Sequence, residues 1–257
     1  MRQETMKRRD FLTYSAATAA FTIVPRHVLG GPGHIPPSEI IQVAGIGIGG
    51  VGHGQIQGVA AQVVTRIAYL CDVDDAYARK TYNKFPQAKV YRDYRELLRL
   101  ESDKIDAVYC GTPDHTHAVI CSAALKKGKH LCCVKPLTRT MDELRVLTEG
   151  AHKMGVATQV TASANTHVKA YKKPPDRLTP RSGTWGEWVE AMRGGEPAGC
   201  NFDWAEYITA AVLLGNIAIR TGKTLDWDIE TRRFTNYKAA NKYLKEPYRS
   251  GWNLTQI

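Results

Sequence analysis

The chain has 257 residues and a mass of 28.5 kDa, with 35 Lys and Arg against 25 Asp and Glu and a formal charge of +10. Its 43% hydrophobic and 23% charged residues exclude a disordered or fibrous chain, and the length supports a real core without a metal or disulfide staple. Six cysteines form no C-x-x-C pair, which argues against a zinc ribbon or a thioredoxin-type site. No metal is expected, and the thiols read as small buried hydrophobes.

Residues 1–30 carry five basic residues, Arg2, Lys7, Arg8, Arg9 and Arg26, against Glu4 and Asp10, a net of +3. An uncharged stretch from Phe11 to Val24 follows, too short for a membrane span of about 20 apolar residues. A basic head before a moderately apolar segment has the pattern of a signal peptide, and Arg8-Arg9 ahead of Asp10-Phe11-Leu12 resembles a twin-arginine signal. That reading makes 1–30 a leader for the twin-arginine export machinery and the protein periplasmic. An uncleaved inner-membrane anchor is the alternative, since no clear cleavage site follows. Residues 31–38 are rich in Gly and Pro and read as a linker, so the fold is expected to begin near Glu39.

Ile40–Ile46 is a short apolar run that predicts a buried parallel strand, and it leads directly into Gly47-Ile48-Gly49-Gly50-Val51-Gly52. In such a G-x-G-x-x-G the first glycine makes the strand-to-helix turn, the second admits a diphosphate and the third packs helix on strand. Gly45, Gly47 and Gly50 fit the same spacing, but the later frame leaves the whole apolar run ahead of the turn. Val63–Cys71 predicts a second strand ending at Asp72, twenty residues past Gly52. An acid there suits the ribose hydroxyls of NAD and repels the 2′-phosphate of NADP, and Val73 rather than an arginine follows it directly. NAD is therefore expected ahead of NADP.

The alternation continues with a helix over Ala76–Phe85, a strand at Lys89–Tyr91, a helix over Tyr94–Leu100 and a strand over Asp106–Cys110. A helix from about Asp114 to Lys127, a strand over His130–Val134, an amphipathic helix from Met141 to Met154 and a strand over Val156–Thr161 complete the run. The expected fold class is α/β, a Rossmann-type doubly wound parallel sheet, followed by a reduced, mostly helical C-terminal region. Ligands of such sheets bind beyond the carboxyl ends of the strands, where Gly47–Gly52, Asp72, Thr112–His117 and Lys135 all fall.

The glycine turn, Gly111-Thr112-Pro113-Asp114-His115-Thr116-His117 and Lys135-Pro136-Leu137 together resemble the glucose–fructose oxidoreductase/inositol dehydrogenase (Gfo/Idh/MocA) family. The resemblance covers roughly 39–160 and resumes over 188–254. It implies an NAD(P)-binding Rossmann domain at 39–161, a truncated C-terminal domain at 162–257, and hydride transfer between a nicotinamide and a sugar or polyol hydroxyl. By the same resemblance Lys135 lies beside the nicotinamide ribose and the reacting hydroxyl, while Thr112, Pro113, Asp114 and His117 line the cofactor with the glycine-turn residues.

The sequence departs from the family's pattern at two places. Val134 stands where the family has the glutamate of a Glu-Lys-Pro tripeptide, and the Asp-x-x-x-His-type motif that supplies a proton acceptor is not found. His167 is the candidate base from this half of the chain, and a catalytically impaired NAD-binding remnant is the alternative function. The stretch from Ser163 to Gly186 is a proline-interrupted loop with five basic residues against Asp176, a net of +4. It lacks the aromatic interleaving of a nucleic-acid surface, so no nucleic-acid partner is expected. Only about 25 residues join the two regions of resemblance, so the large sheet of relatives cannot be built and an internal deletion is inferred. Short helices are expected over Glu187–Arg193 and Lys238–Leu244, and the helix over Asp203–Arg220 is apolar nearly all round and so expected to be buried. Self-association is left open.

Overall fold

The structure, a computed structural model, describes residues 35–161 and 181–255. Pro37–Glu39 forms one 3₁₀ turn, and the described residues from Ile41 onward form a compact unit of their own. That unit is built on six parallel strands, β1 (Ile41–Ile46), β2 (Thr65–Cys71), β3 (Lys89–Tyr91), β4 (Ala107–Cys110), β5 (His130–Val134) and β6 (Thr158–Thr161). Their spatial order is β3-β2-β1-β4-β5-β6, so the order in which strands are added across the sheet reverses between β1 and β4, as in the dinucleotide-binding fold.

The helices follow the predicted alternation. They are α1 (Gly50–Ala60), α2 (Asp75–Lys84), α3 (Tyr94–Glu101), α4 (Asp114–Lys126) and α5 (Met141–Met154). Local chemistry sets the ends. Asp74 and Asp93 cap α2 and α3 through their carboxylates, Thr140 and Glu143 form a capping box on α5, and Gly155 closes α5 in the left-handed conformation. Lys104 and Ile105 end the 3₁₀ turn after α3 and lead into β4.

Strand alternation splits the core in two. One face carries Ile41, Val43, Ile67, Leu70, Tyr109 and Cys132 under α1 and α2, and the other carries Ile46, Tyr69, Val108, Cys110, Leu131 and Cys133 under α3, α4 and α5. An irregularity between Val43 and Ala44 leaves Ala68 of β2 unmatched, which is why Ile67 and Tyr69, two residues apart, serve opposite faces. Five of the six cysteines are buried, as their apolar settings predict, and Cys200 is half-buried.

Among the described residues the second half of the chain packs on both faces of the sheet and adds a small apolar cluster of its own, Ile217, Phe234, Ala240 and Leu244. Helix α6 (Gly183–Met192) lays Trp188 and Val189 on the α1 face, and α7 (Phe202–Thr221) lays Phe202 and Ala205 on the opposite face. The exposed edge of β6 is met there, where the Val160 N–H donates to the Cys200 carbonyl and the Phe202 N–H to Thr158 Oγ1. A small antiparallel pair not foreseen in the sequence, β7 (Trp227–Asp228) and β8 (Arg233–Phe234), sets the Trp227 and Phe234 rings edge to face with centroids 5.1 Å apart. Lys238–Leu244 is a 3₁₀ helix rather than an α-helix.

The expectation that α7 is buried is corrected. Only Phe202, Ala205 and Ile217 are buried along its twenty residues, and Trp204, Tyr207, Ile208, Val212 and Ile219 are exposed. The helix is anchored near its two ends, because the apolar sequence offers several faces and only one stripe finds a partner among the described residues. The His152–Asp203 pair adds a polar tie to α5, and the Asp203 carboxylate holds the imidazole above its ordinary pKa. No helix among the described residues is long and apolar enough to cross a membrane.

Two outcomes follow. Phe202→Ala removes the main apolar anchor of α7 and should lower stability by about 3–5 kcal/mol in chemical denaturation. Glu101, buried at the end of α3, accepts hydrogen bonds from Lys89, Tyr91, Lys104 and Tyr69 at 2.6–3.3 Å. The two ammonium groups and Tyr91 lower its carboxyl pKa from 4.5 to about 2. Its contribution is therefore full above pH 4.5 and lost as pH falls toward 2. Glu101→Gln should melt below the parent at neutral pH, with the gap closing as the scan is repeated at falling pH.

Candidate functional site

The turn between β1 and α1 is shaped by what its glycines leave out. Gly47 has φ +74°, and a Cβ there would meet the Thr112 nitrogen at 2.5 Å. A Cβ on Gly52 would lie 2.1 Å from the Gly47 carbonyl oxygen, so α1 can approach the turn only without one. This crowding supports the Gly47, Gly49, Gly52 frame.

The loop is then pinned by side chains. Thr81 Oγ1, on α2, donates to the Ile48 carbonyl at 2.5 Å. Asp72, just past β2, accepts the N–H groups of Ile48 and Gly49 on one carboxylate oxygen at 2.9 and 3.1 Å, and the Asp74 N–H on the other at 3.1 Å. Gly49, the N-cap of α1, carries no side-chain cap, and neither does Pro113, the N-cap of α4. Both helix N-termini therefore leave backbone donors at the carboxyl edge of the sheet, the arrangement that receives an anion.

A cleft of about 490 Å³ opens at that edge. Gly47, Gly49, Asp72, Thr112 and Pro113 line it, together with Tyr77, Arg92, Tyr94, Arg95, His115 and Trp252. The other predicted cofactor residues are placed differently. Ile48 is buried and turns only its backbone to the site, Gly50 and Gly52 lie in α1, Val51 is exposed, and Asp114 is exposed in the first turn of α4. His117 is fully buried behind the cleft. Its ring nitrogens lie 2.7 Å from the Thr112 carbonyl oxygen and 2.8 Å from that of Pro136, so it ties the turn after β4 to the turn after β5. That is a positioning role, where the family resemblance implied contact with the cofactor. Lys135 is exposed at the end of β5, its N–H donating to the Thr161 carbonyl and its bond to Pro136 cis; it does not line the cleft. His167 lies outside the described residues.

Sequence reading missed four features. Thr81 holds the glycine loop, and Tyr77, one turn into α2, covers Gly49 and Gly50, whose missing Cβ atoms leave room for its ring. Arg92 and Arg95 follow β3 and reach the cleft from there, but each already pairs with a carboxylate, Arg92 with Asp75 and Arg95 with Asp93. Trp252 arrives from the far end of the chain. None of these lies near the motif in sequence, and only the Asp74 cap, which fixes the phase of α2, hints at Tyr77.

Two family models match in succession. The Gfo/Idh/MocA model for the NAD-binding Rossmann fold of an oxidoreductase family covers residues 41–162, and the model for that family's C-terminal alpha/beta domain covers 149–254. The chain belongs to the Gfo/Idh/MocA oxidoreductase family. Among relatives of this Gfo/Idh/MocA chain, inositol 2-dehydrogenase from Rubrobacter xylanophilus is 32% identical over 119 residues, covering 46% of this chain and 33% of the relative. A Shouchella clausii inositol 2-dehydrogenase/D-chiro-inositol 3-dehydrogenase is 33% identical over 104 residues, covering 40% and 30%. The crystal structure of an NAD-binding protein from Listeria innocua matches at 28% identity and a TM-score of 0.42, covering 47% of this chain and 34% of that one. The chain thus spans about a third of the length of the curated relatives it matches.

Gly52→Ala and Gly54→Ala make a controlled pair within α1. A Cβ on Gly54 meets nothing within 4 Å, whereas one on Gly52 collides with backbone. Gly52→Ala should cost about 1–3 kcal/mol, as overpacking of a tight contact does. Gly54→Ala should be neutral or stabilising by about 0.5–1 kcal/mol through helix propensity. Denaturation curves of the two variants check both.

Proposed function

We propose that this chain binds NAD and exchanges hydride between its nicotinamide and a hydroxyl-bearing carbon of a sugar or polyol. The observation that carries the reading is the glycine turn closed by Asp72 at the β1/β4 reversal, in a chain of this oxidoreductase family. The residues fit the cofactor. Uncapped N–H groups of α1 and α4 suit a diphosphate, and the Asp72 carboxylate suits ribose hydroxyls.

The preference for NAD over NADP gains support from Arg92 and Arg95. Both reach the cleft where a 2′-phosphate would need a cation, yet Asp75 and Asp93 already neutralise them. A phosphate there would meet Asp72 without a free guanidinium among the cleft residues.

The nicotinamide supplies the hydride acceptor or donor. The protein's own part is to fix the hydroxyl and to move its proton. Lys135, at the carboxyl end of β5, can hydrogen-bond the reacting oxygen and stabilise negative charge developing on it. The proton acceptor is assigned to His167. Inositol-like polyols head the substrate class, because relatives named for inositol oxidation share the nucleotide-binding half. Residues 1–30 as a twin-arginine leader, 31–38 as a linker and a periplasmic location belong to the same proposal, along with the division into 39–161 and 162–257.

The second reading, an NAD-binding remnant with little or no turnover, is favoured by one observation. Lys135, the residue assigned to the reacting hydroxyl, does not line the cleft that holds the glycine loop.

A thermal-shift titration of the full chain with NAD and NADP tests the binding, and a scan of sugars and polyols for NADH formation tests the chemistry. NAD at a hundredfold its Kd should add about 2.7 kcal/mol of stability, with NADP adding less. NADH formation from a polyol, lost in Lys135→Ala while NAD still binds, supports the oxidoreductase. NAD binding without turnover on any polyol leaves the remnant, and binding of neither nucleotide overturns both.

A further inference from the structure

The end of the chain returns to the nucleotide-binding half along the face that carries α3, α4 and α5. Glu246 pairs with Arg139 at 2.6 Å, Tyr248 donates to Glu143, and the Thr255 N–H donates to Ser122 Oγ at 3.1 Å. Tyr248, Trp252 and Leu254 pack against the apolar core of that face. Residues 245–255 are therefore a strap tied at several points to α4, α5 and the turn before α5.

Trp252 lines the cleft that holds the glycine loop. Its ring centroid lies 6.2 Å from that of Tyr94, the two planes 53° apart, and the Arg95 guanidinium carbon lies 5.0 Å from the Trp252 centroid. Arg95 is itself held by two nitrogens on the Asp93 carboxylate, which cancels its charge. This corner of the cleft is thus aromatic, its two ring planes tilted to one another and its cation compensated. Such a surface suits the face of a neutral heterocycle better than it suits a phosphate.

We propose that the strap supplies, through Trp252, a wall of the adenine half of the dinucleotide site, against which the nucleobase stacks. The inference rests on the proposed binding of NAD and adds to it. The diphosphate is expected at the glycine loop after β1 and the ribose at Asp72 after β2. The next position outward along the sheet edge is the turn after β3 and the start of α3, where Tyr94 and Arg95 line the cleft together with Trp252. The β-α-β half thus leaves its base-binding corner to be finished by residues more than 150 positions downstream of its own strands β2 and β3. Because the strap is tied down on either side of Trp252, the indole is in place before a ligand arrives, which limits the ordering that binding would otherwise require.

The test is calorimetric titration of the full chain with ADP-ribose, which carries the adenine half and lacks nicotinamide. Trp252→Leu keeps an apolar side chain against Tyr94 but removes the stacking face, and Trp252→Phe keeps a smaller one. The leucine variant should bind ADP-ribose about tenfold more weakly than the parent, in the range found when a base loses an aromatic stacking partner. The phenylalanine variant should recover most of that loss. Thermal midpoints of both variants, measured alongside, show whether the strap still packs. Equal affinity of the folded leucine variant and the parent overturns the role of Trp252 and leaves NAD binding standing. Equal losses for leucine and phenylalanine also overturn it, because packing rather than stacking would then be at work. A parent that binds no ADP-ribose overturns the NAD reading and this inference together.

Discussion

The carbonyl of Gly47 is the point around which the nucleotide-binding half is assembled. Three pieces of backbone converge on it: the turn after β1, the first turn of α1 at Gly52, and the turn after β4 at Gly111, where a Cβ would lie 2.7 Å from the same oxygen. No side chain can stand between them. The close approach brings the N-termini of α1 and α4 to one edge of the sheet with their backbone donors free of side-chain caps. The anion-receptive character of the cleft is thus a by-product of packing that the glycines alone permit.

Around that contact, polar side chains fix what packing leaves loose. Thr81 holds the Ile48 carbonyl, Asp72 holds the Ile48 and Gly49 N–H groups, and His117 bridges the turns after β4 and β5. Each acts on backbone, so the site is built as a rigid frame before any ligand contact is considered. Charge is handled in the same local way. Arg92, Arg95 and Arg139 each meet a carboxylate within the fold, and much of the excess positive charge of the sequence lies in residues 1–30 and 163–186. The basic balance of the chain is therefore not a single field over the cleft.

The C-terminal half, as far as it is described, covers the first half as well as closing a small apolar cluster of its own around Ile217 and Phe234. Helix α6 covers one face of the sheet, the first turn of α7 and the strap cover the other, and Cys200 satisfies the edge of β6. The long exposed flank of α7 is the exception. Its apolar residues show that a surface is available, while its burial pattern shows that the described part of this chain does not cover it.

The sequence by itself determined the alternation, the strand order class and the frame of the glycine turn. Those depend on local periodicity, on caps within one turn and on a spacing of twenty residues to Asp72, all of which are properties of neighbouring residues. Tertiary structure alone decided which of the candidate residues share a cleft. His117 and Ile48 face inward because the turns they sit in are pinned from other strands, and Lys135 lies outside the cleft at the end of β5. Thr81, Tyr77, Arg92 and Trp252 reach the site from helices, turns and a tail that no local pattern connects to it. Likewise, an apolar helix such as α7 announces that it can be buried, but burial needs a partner surface, and that is a property of the assembled fold rather than of the helix.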